Sequence, residues 1–71
     1  MNQEQVSGNW KIVKGKIKEQ WGKLTDDDLK VLQGSADQLT GTLERRYGIA
    51  KEEAERQVRD FERRNADIFR H

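Results

Sequence analysis

The 71-residue chain contains no cysteine and no proline. The lack of cysteine excludes disulfide bonds and thiolate zinc sites, and the lack of proline means that no helix is broken by one. Histidine is almost absent too, since the single copy is His71. The two serines, Ser7 and Ser35, have no neighbouring base that would activate a nucleophile. We therefore predict that the protein is not an enzyme and has no catalytic residue, metal site or cofactor.

Apolar residues are also scarce. They make up 32% of the chain against 38% charged residues, and the mean hydropathy is −1.12. No apolar run approaches the roughly 18 residues of a membrane span, and the first ten residues lack the basic and apolar regions of a signal peptide. We expect one marginally stable domain, residues 1–71, that is monomeric and cytoplasmic and has no stable membrane insertion.

The apolar residues that are present recur with the period of an α-helix. In the first segment their spacings are 4, 3, 4, 4 and 3, which places them on one face. Gly22 follows at the position of a glycine that ends a helix in the left-handed conformation. The stripe consists of Val6, Trp10, Val13, Ile17, Trp21 and Leu24.

A second helix is predicted to begin after Thr25. Thr25 and Asp28 have the spacing of a capping box, and carboxylates in a first turn favour the positive end of the helix. The three consecutive carboxylates of residues 26–28 lack the alternating spacing of a calcium loop, so we interpret them as helix capping rather than as a metal site. The helix should bury Leu29 and Leu32 and end at Gly34.

Two further helices are predicted in the second half. The third should end at Gly48 and the fourth should begin near Lys51. We expect Asn65, which falls in the last apolar stripe, at an edge or bonded to backbone. Outer faces carry i,i+4 pairs Glu52–Arg56, Glu55–Arg59 and Asp60–Arg64. The apolar positions are Ala36, Leu39, Leu43 and Tyr47 in the third helix, and Ala54, Val58, Phe61, Ile68 and Phe69 in the fourth.

The two halves of the sequence repeat with an offset of 26 residues. Three glycines of the first half match three of the second, and Trp21 matches Tyr47. Each half therefore predicts one α-hairpin, about residues 4–33 and 35–69. Since one hairpin cannot bury both of its stripes alone, we predict an all-α fold of four helices in two crossed hairpins with pseudo-twofold symmetry. The matched glycines are Gly8 with Gly34, Gly15 with Gly41 and Gly22 with Gly48.

Gly15 and Gly41 do not end helices. Both fall in mid-helix, roughly opposite the apolar stripe, where each costs about 1 kcal/mol relative to alanine. Either they permit a close approach of another backbone, or the protein tolerates low stability because it folds conditionally. The pattern leaves both interpretations open.

Positive charge is concentrated in the first predicted helix and the turn after it. The whole chain has 14 basic and 13 acidic residues, a net charge of +1, so a polyanionic partner would need a local patch. Tyr47–Ala50 also resembles the glycine turn of helix-hairpin-helix DNA-binding motifs, with Ala50 in place of their second glycine. Nucleic-acid binding is therefore the alternative function, and a solvated lysine face is favoured over it. The candidate anion contacts are Lys11, Lys14, Lys16, Lys18 and Lys23, opposed by Glu19.

The run GNWKIVKGKIKEQWGKLTDDDL closely resembles the opening of the CsbD-like family of small bacterial general stress response proteins. The second half fits in outline, through DQLTGTLERRYG and KEEAE. The resemblance implies a four-helix fold and a stress-linked cytoplasmic protein, and it implies no catalytic or binding residue. Low hydrophobicity and six glycines also resemble the hydrophilins. We expect a non-enzymatic interaction or protective module whose protein partner, if it has one, the sequence does not identify.

Overall fold

The apolar spacing of the sequence produces helices joined by short turns over residues 10–66, the part of the chain that the computed structural model describes. Within this range there are four α-helices and no strand, which confirms the all-α prediction. Val6, Ile68 and Phe69 lie outside the described residues. The helices are α1 (Trp10–Gln20), α2 (Asp26–Gly34), α3 (Leu39–Tyr47) and α4 (Lys51–Arg64), with a 3₁₀ turn, Ala36–Gln38, before α3.

The core forms where the apolar stripes of these helices meet. Ten apolar side chains are at most 2% exposed, and burying one of the larger ones is worth about 1.5–3 kcal/mol. The rings of Trp21 and Phe61 pack in a tilted arrangement with their centroids 4.9 Å apart. Trp10, predicted to be in the core, is only half-buried and packs at its edge. The buried residues are Val13, Ile17, Trp21, Leu24, Leu29, Leu32, Leu39, Leu43, Ala54 and Phe61.

The helix α3 ends at Gly48, as the sequence predicted, whereas α1 does not end with a left-handed glycine at Gly22. Gly48 has φ 61° and ψ 36°, and its N–H donates to the carbonyl of Glu44 at 2.9 Å. Among the described glycines only Gly48 has a positive φ, so the left-handed conformation predicted for Gly22 is wrong. There the chain turns through a hydrogen bond from the N–H of Leu24 to the carbonyl of Trp21, at 3.2 Å. Both residues are anchored in the core, and this tight turn needs no left-handed residue.

Replacing Gly15 with alanine is expected to stabilise the protein by about 0.5–1 kcal/mol, because alanine has the higher helix propensity and lowers the entropy of the unfolded chain. Gly15 is exposed, and a Cβ atom built on it would meet no heavy atom within 4 Å. Gly48→Ala is the matched control and should destabilise, since Gly48 is left-handed. Thermal unfolding followed by circular dichroism measures both. A lower melting temperature for Gly15→Ala would contradict the placement of that face in solvent.

Candidate functional site

The lysines that we predicted as anion contacts divide between two flanks of α1. All five are exposed. At 100° per residue, Lys11, Lys14 and Lys18 lie on one side of the buried stripe of Val13 and Ile17. Lys16 falls on the other side, and Lys23 lies in the turn after the helix. The first three, Lys11, Lys14 and Lys18, are called the basic flank below. The five lysines are therefore not one continuous face.

The basic flank is partly neutralised by the next helix. The Nζ of Lys18 lies 3.3 Å from a carboxylate oxygen of Asp26 in the first turn of α2. Both side chains are more than half exposed, so this ion pair adds little stability. Its effect is on the surface potential, because it places a carboxylate beside the lysines that a polyanion would contact.

Lys23 is tied to the end of α3 rather than to the other lysines. Its backbone N–H donates to the hydroxyl of Tyr47 at 3.1 Å. Its Nζ lies 5.2 Å from the centre of the Tyr47 ring, within the range of a cation–π contact. These two contacts join the turn after α1 to the last residue of α3.

Lys16 lies at a cleft where the last turn of α1 meets the end of α4. The cleft has a volume of about 250 Å³ and receives side chains from both helices. The structure thus brings Lys16 together with Arg64, which sequence reasoning did not select. Asn65 donates from Nδ2 to the carbonyl of Phe61 at 2.9 Å, which confirms the predicted bond to backbone. The cleft is lined by Lys16, Glu19, Gln20, Phe61, Arg64 and Asn65.

The strongest electrostatic cluster of the described chain surrounds Asp28. The side chain of Thr25 accepts from the N–H of Asp28 at 3.1 Å, and the Asp28 carboxylate accepts from the N–H of Thr25 at 3.0 Å, which confirms the predicted capping box. In addition, Arg46 of α3 donates to both carboxylate oxygens, at 2.7 and 2.9 Å. The carboxylate therefore caps α2 and joins it to α3.

The environment of Asp28 explains its acidity. Hydrogen bonds from Arg46, followed by the one from the backbone of Thr25, hold the pKa of Asp28 well below its ordinary value, while burial opposes them. The same pair raises the pKa of Arg46. A strongly perturbed carboxylate is often a sign of a functional site. Here the perturbing groups are structural, because Thr25 caps α2 and Arg46 joins α2 to α3.

A second polar chain runs from the core to the surface of α4. The indole N–H of Trp21 donates to Oε1 of Gln57 at 2.9 Å, and Nε2 of Gln57 donates to Glu53 at 2.8 Å. Glu53 and Asp60 both pair with Arg56. The hydrogen bonds from Arg56 and then Gln57 lower the pKa of Glu53. This chain satisfies the one polar atom of the buried Trp21 ring.

The three ion pairs predicted for α4 do not form in the described part of the chain. Arg56 pairs with Glu53 and Asp60 rather than with Glu52, and no ion pair joins Glu55 to Arg59. Arg64 donates from Nε to the backbone carbonyl of Asp60 at 3.3 Å instead of pairing with its carboxylate, which is shared by Arg56 and Arg63.

Over residues 10–66, no group of three or more acidic or histidine side chains is placed to hold a metal ion. Nor does this part of the chain contain a helix that is both long enough and apolar enough to cross a membrane.

Comparison with known proteins identifies the relatives of this chain. The CsbD-like family model matches residues 4–56. UPF0337 protein YjbJ of Escherichia coli (strain K12) is 55% identical over 65 residues, which are 92% of this chain and 94% of that protein. UPF0337 protein ECA0631 of Pectobacterium atrosepticum is 61% identical over 62 residues, 87% and 90% of the two chains.

A third relative, UPF0337 protein PA4738 of Pseudomonas aeruginosa, is 56% identical over 61 residues, 86% of this chain and 94% of that protein. The names of these relatives state no molecular activity. The resemblance that the motif run predicted is therefore confirmed, and the chain belongs to the CsbD-like family, a family of general stress response proteins.

Proposed function

We propose that this protein is a non-enzymatic stress-response module that acts through the surface of its folded state, as an interaction or protective protein of the cytoplasm. The proposal rests on one observation: the ionisable groups with shifted pKa values stabilise the fold and are engaged in structural hydrogen bonds. Among residues 10–66, the carboxylate with the largest pKa shift is that of Asp28, which accepts from the N–H of Thr25 to cap α2 and from Arg46 to join α2 to α3. Membership of a stress-response family supports the biological context.

We further propose that the chain folds as a monomeric single domain of two crossed α-hairpins, about residues 4–33 and 35–69. Contacts of two matched aromatic residues support the packing of one half on the other. Trp21 of the first half bonds to Gln57 of the second, and Tyr47, the match of Trp21, accepts from the N–H of Lys23 in the first half. The partner positions, Gln57 and Lys23, are not related by the 26-residue offset, so the pseudo-twofold symmetry stays a proposal.

Protection of a labile enzyme through drying and rehydration tests the proposed function. We expect the enzyme to retain more activity with this protein than with an equal mass of serum albumin. Gly15→Ala should protect as well as the wild type, because it leaves the fold and the surface charges in place. Protection no better than that of albumin would contradict a protective role. Only the interaction role would then remain, and it would require a binding partner.

The alternative, binding of nucleic acid through Lys11, Lys14, Lys16, Lys18 and Lys23, has less support. Only three of these lysines share the basic flank, and Asp26 faces one of them. Ala50, the N-cap of α4, makes no side-chain cap bond, and Glu52 and Glu53 occupy the first turn where a phosphate would dock.

We therefore expect DNA and RNA to bind no more tightly than about 10⁻⁴–10⁻⁶ M at physiological salt, with a log–log salt slope no steeper than roughly −2.7. Lys14→Gln with Lys18→Gln should flatten the slope, whereas the control pair Lys16→Gln with Lys23→Gln, which removes the same charge elsewhere, should change it less. Fluorescence anisotropy of a labelled oligonucleotide provides the measurement. A submicromolar complex would make nucleic-acid binding the function.

A further inference from the structure

We propose that the outer face of α1 pairs with the same face of a second copy of this chain, in a reversible antiparallel dimer. The face centres on a row of three exposed residues, each four positions from the next: Lys11, Gly15 and Glu19. The monomer is the folded unit of the proposed function, and pairing goes beyond it as a state that the folded protein adopts at high concentration.

Gly15 gives this face a stretch of bare backbone. A Cβ atom built on Gly15 would meet no heavy atom within 4 Å. Gly41, its match in the second half, is different, because Nη1 of Arg45 lies 3.4 Å from the corresponding point and Arg45 also donates to Thr42 at 3.3 Å. The close approach that a mid-helix glycine permits is therefore used within the chain at Gly41, and at Gly15 it is open to another chain.

The charges on either side of Gly15 favour a second copy in one direction. Lys11 and Glu19, the single acidic residue of α1, are about 12 Å apart along the helix axis, too far to pair with each other. Glu19 also borders the cleft beside Lys16, yet over residues 10–66 neither it nor Lys11 takes part in an ion pair. An antiparallel copy, related by a twofold axis at Gly15, brings each Lys11 to the Glu19 of the other chain. A parallel copy would oppose like charges.

The position of Ile12 fits this arrangement. Ridges of residues four apart run alongside each other when two helices cross at about 50°, the commonest angle of helix packing. At that angle the Ile12 side chains of the two copies meet on one side of the crossing, because Ile12 precedes Gly15 by three residues on the same face. Ile12 is 52% exposed, which is unusual for a large apolar side chain in the described part of this chain. On the other side lies Lys18, whose charge is already paired with Asp26.

The interface is small, so the dimer forms only at high protein concentration. The helix α1 has 11 residues, and one face of such a helix falls below the roughly 1,200 Å² that stable complexes bury. Its ion pairs are exposed and therefore weak. Loss of water concentrates the proteins of a cell, and pairing would then follow by mass action.

Exchange of the two charges across the twofold axis tests the proposal. Amide shifts of the full ¹⁵N-labelled protein, followed from micromolar to millimolar concentration, measure pairing, and we expect them to centre on residues 11–19. Lys11→Glu or Glu19→Lys alone should weaken pairing about tenfold, because each turns both ion pairs into repulsions. Lys11→Glu with Glu19→Lys in one chain should restore the affinity to within about twofold of the wild type.

Further samples separate this face from general charge effects. A mixture of the Lys11→Glu protein with the Glu19→Lys protein should form a heterodimer about tenfold tighter than either variant forms with itself, since both pairs are then attractive. Lys30→Glu makes the same change of charge on the exposed surface of α2 and should stay within about twofold of the wild type. Gly15→Ala should weaken pairing although it raises the melting temperature, because its methyl group separates the helices where they cross.

Three results would overturn the proposal. Shifts that do not change up to millimolar concentration would show that the face does not pair. A charge-exchanged variant that pairs as weakly as the single variants, or an equal loss in Lys30→Glu, would show that the row does not direct association. Nuclear Overhauser contacts from residues 1–9 to Ile12 in the dilute sample would show that the chain itself covers the face. Circular dichroism of each variant establishes that it is folded. Gly15→Ala is expected to keep its protective activity, so pairing and protection can fail separately.

Discussion

Replacing Trp21 with alanine is expected to unfold most of the protein. Truncating a buried tryptophan costs about 3–5 kcal/mol, and a core of this size supplies only about 3–5 kcal/mol in total. Trp21 is 2% exposed, packs against the ring of Phe61 in a tilted arrangement and donates its indole N–H to Gln57. The substitution removes all three contributions at once. Urea unfolding followed by far-ultraviolet circular dichroism, with trimethylamine oxide added to bring back a folded baseline, measures the loss.

Two controls separate the contributions of Trp21. Trp21→Phe keeps an aromatic ring against Phe61 but loses the hydrogen bond to Gln57, and should cost less than the alanine variant. Trp10→Ala truncates the same residue type at a half-buried position at the edge of the core, and should also cost less. A loss below about 1 kcal/mol for Trp21→Ala would mean that the two halves of the chain do not depend on this contact.

Asp28→Asn should lower the free energy of unfolding by about 2 kcal/mol at neutral pH, because it removes the charge that three donors bond. Arg46 is half exposed, so solvent screens part of the interaction and keeps the loss moderate. Asp27→Asn is the matched control. It removes the same charge one residue away, from an exposed side chain in the same first turn, and should have a much smaller effect. Equal losses in the two variants would contradict the joining role of Asp28.

The acid limb of the stability curve should also depend on Asp28. Because Arg46 and Thr25 depress its folded-state pKa, its contribution is complete above the ordinary aspartate pKa of about 3.9 and is lost as the pH falls below it. The wild type should therefore lose stability between about pH 4 and pH 2 more steeply than Asp28→Asn. Urea midpoints measured across that range test this. If the stability of Asp28→Asn falls with pH as steeply as that of the wild type, other carboxylates cause the loss of stability at acid pH.

Local patterns in the sequence were sufficient to predict the helices and several of their ends. The capping box at Thr25, the end of α3 at Gly48 and the backbone bond of Asn65 depend on neighbours within four residues. The apolar stripes depend on period alone, and they predicted the buried residues of α1, Val13 and Ile17.

Contacts between distant segments could not be predicted in the same way. Asp28 shares the inner side of α2 with Leu32, four residues on, and this position indicates that the carboxylate needs a partner. Nothing in the pattern selects Arg46 for that role, because the choice depends on how α3 packs against α2. The cleft has the same origin, since Lys16 and Arg64 line one cleft only because the ends of α1 and α4 are neighbours. The left-handed conformation predicted for Gly22 was wrong because a tight turn between two buried residues, Trp21 and Leu24, makes a left-handed residue unnecessary.

We expect the chain to fold by itself in water into one unit of four helices, which is closed by contacts between its two halves. A nuclear magnetic resonance spectrum of the free protein in dilute buffer tests this expectation. We predict dispersed amide signals and nuclear Overhauser contacts from the Trp21 indole to the Phe61 ring, whose centroids lie 4.9 Å apart. Collapsed amide dispersion without those contacts would contradict the account and show that the protein folds only under particular conditions.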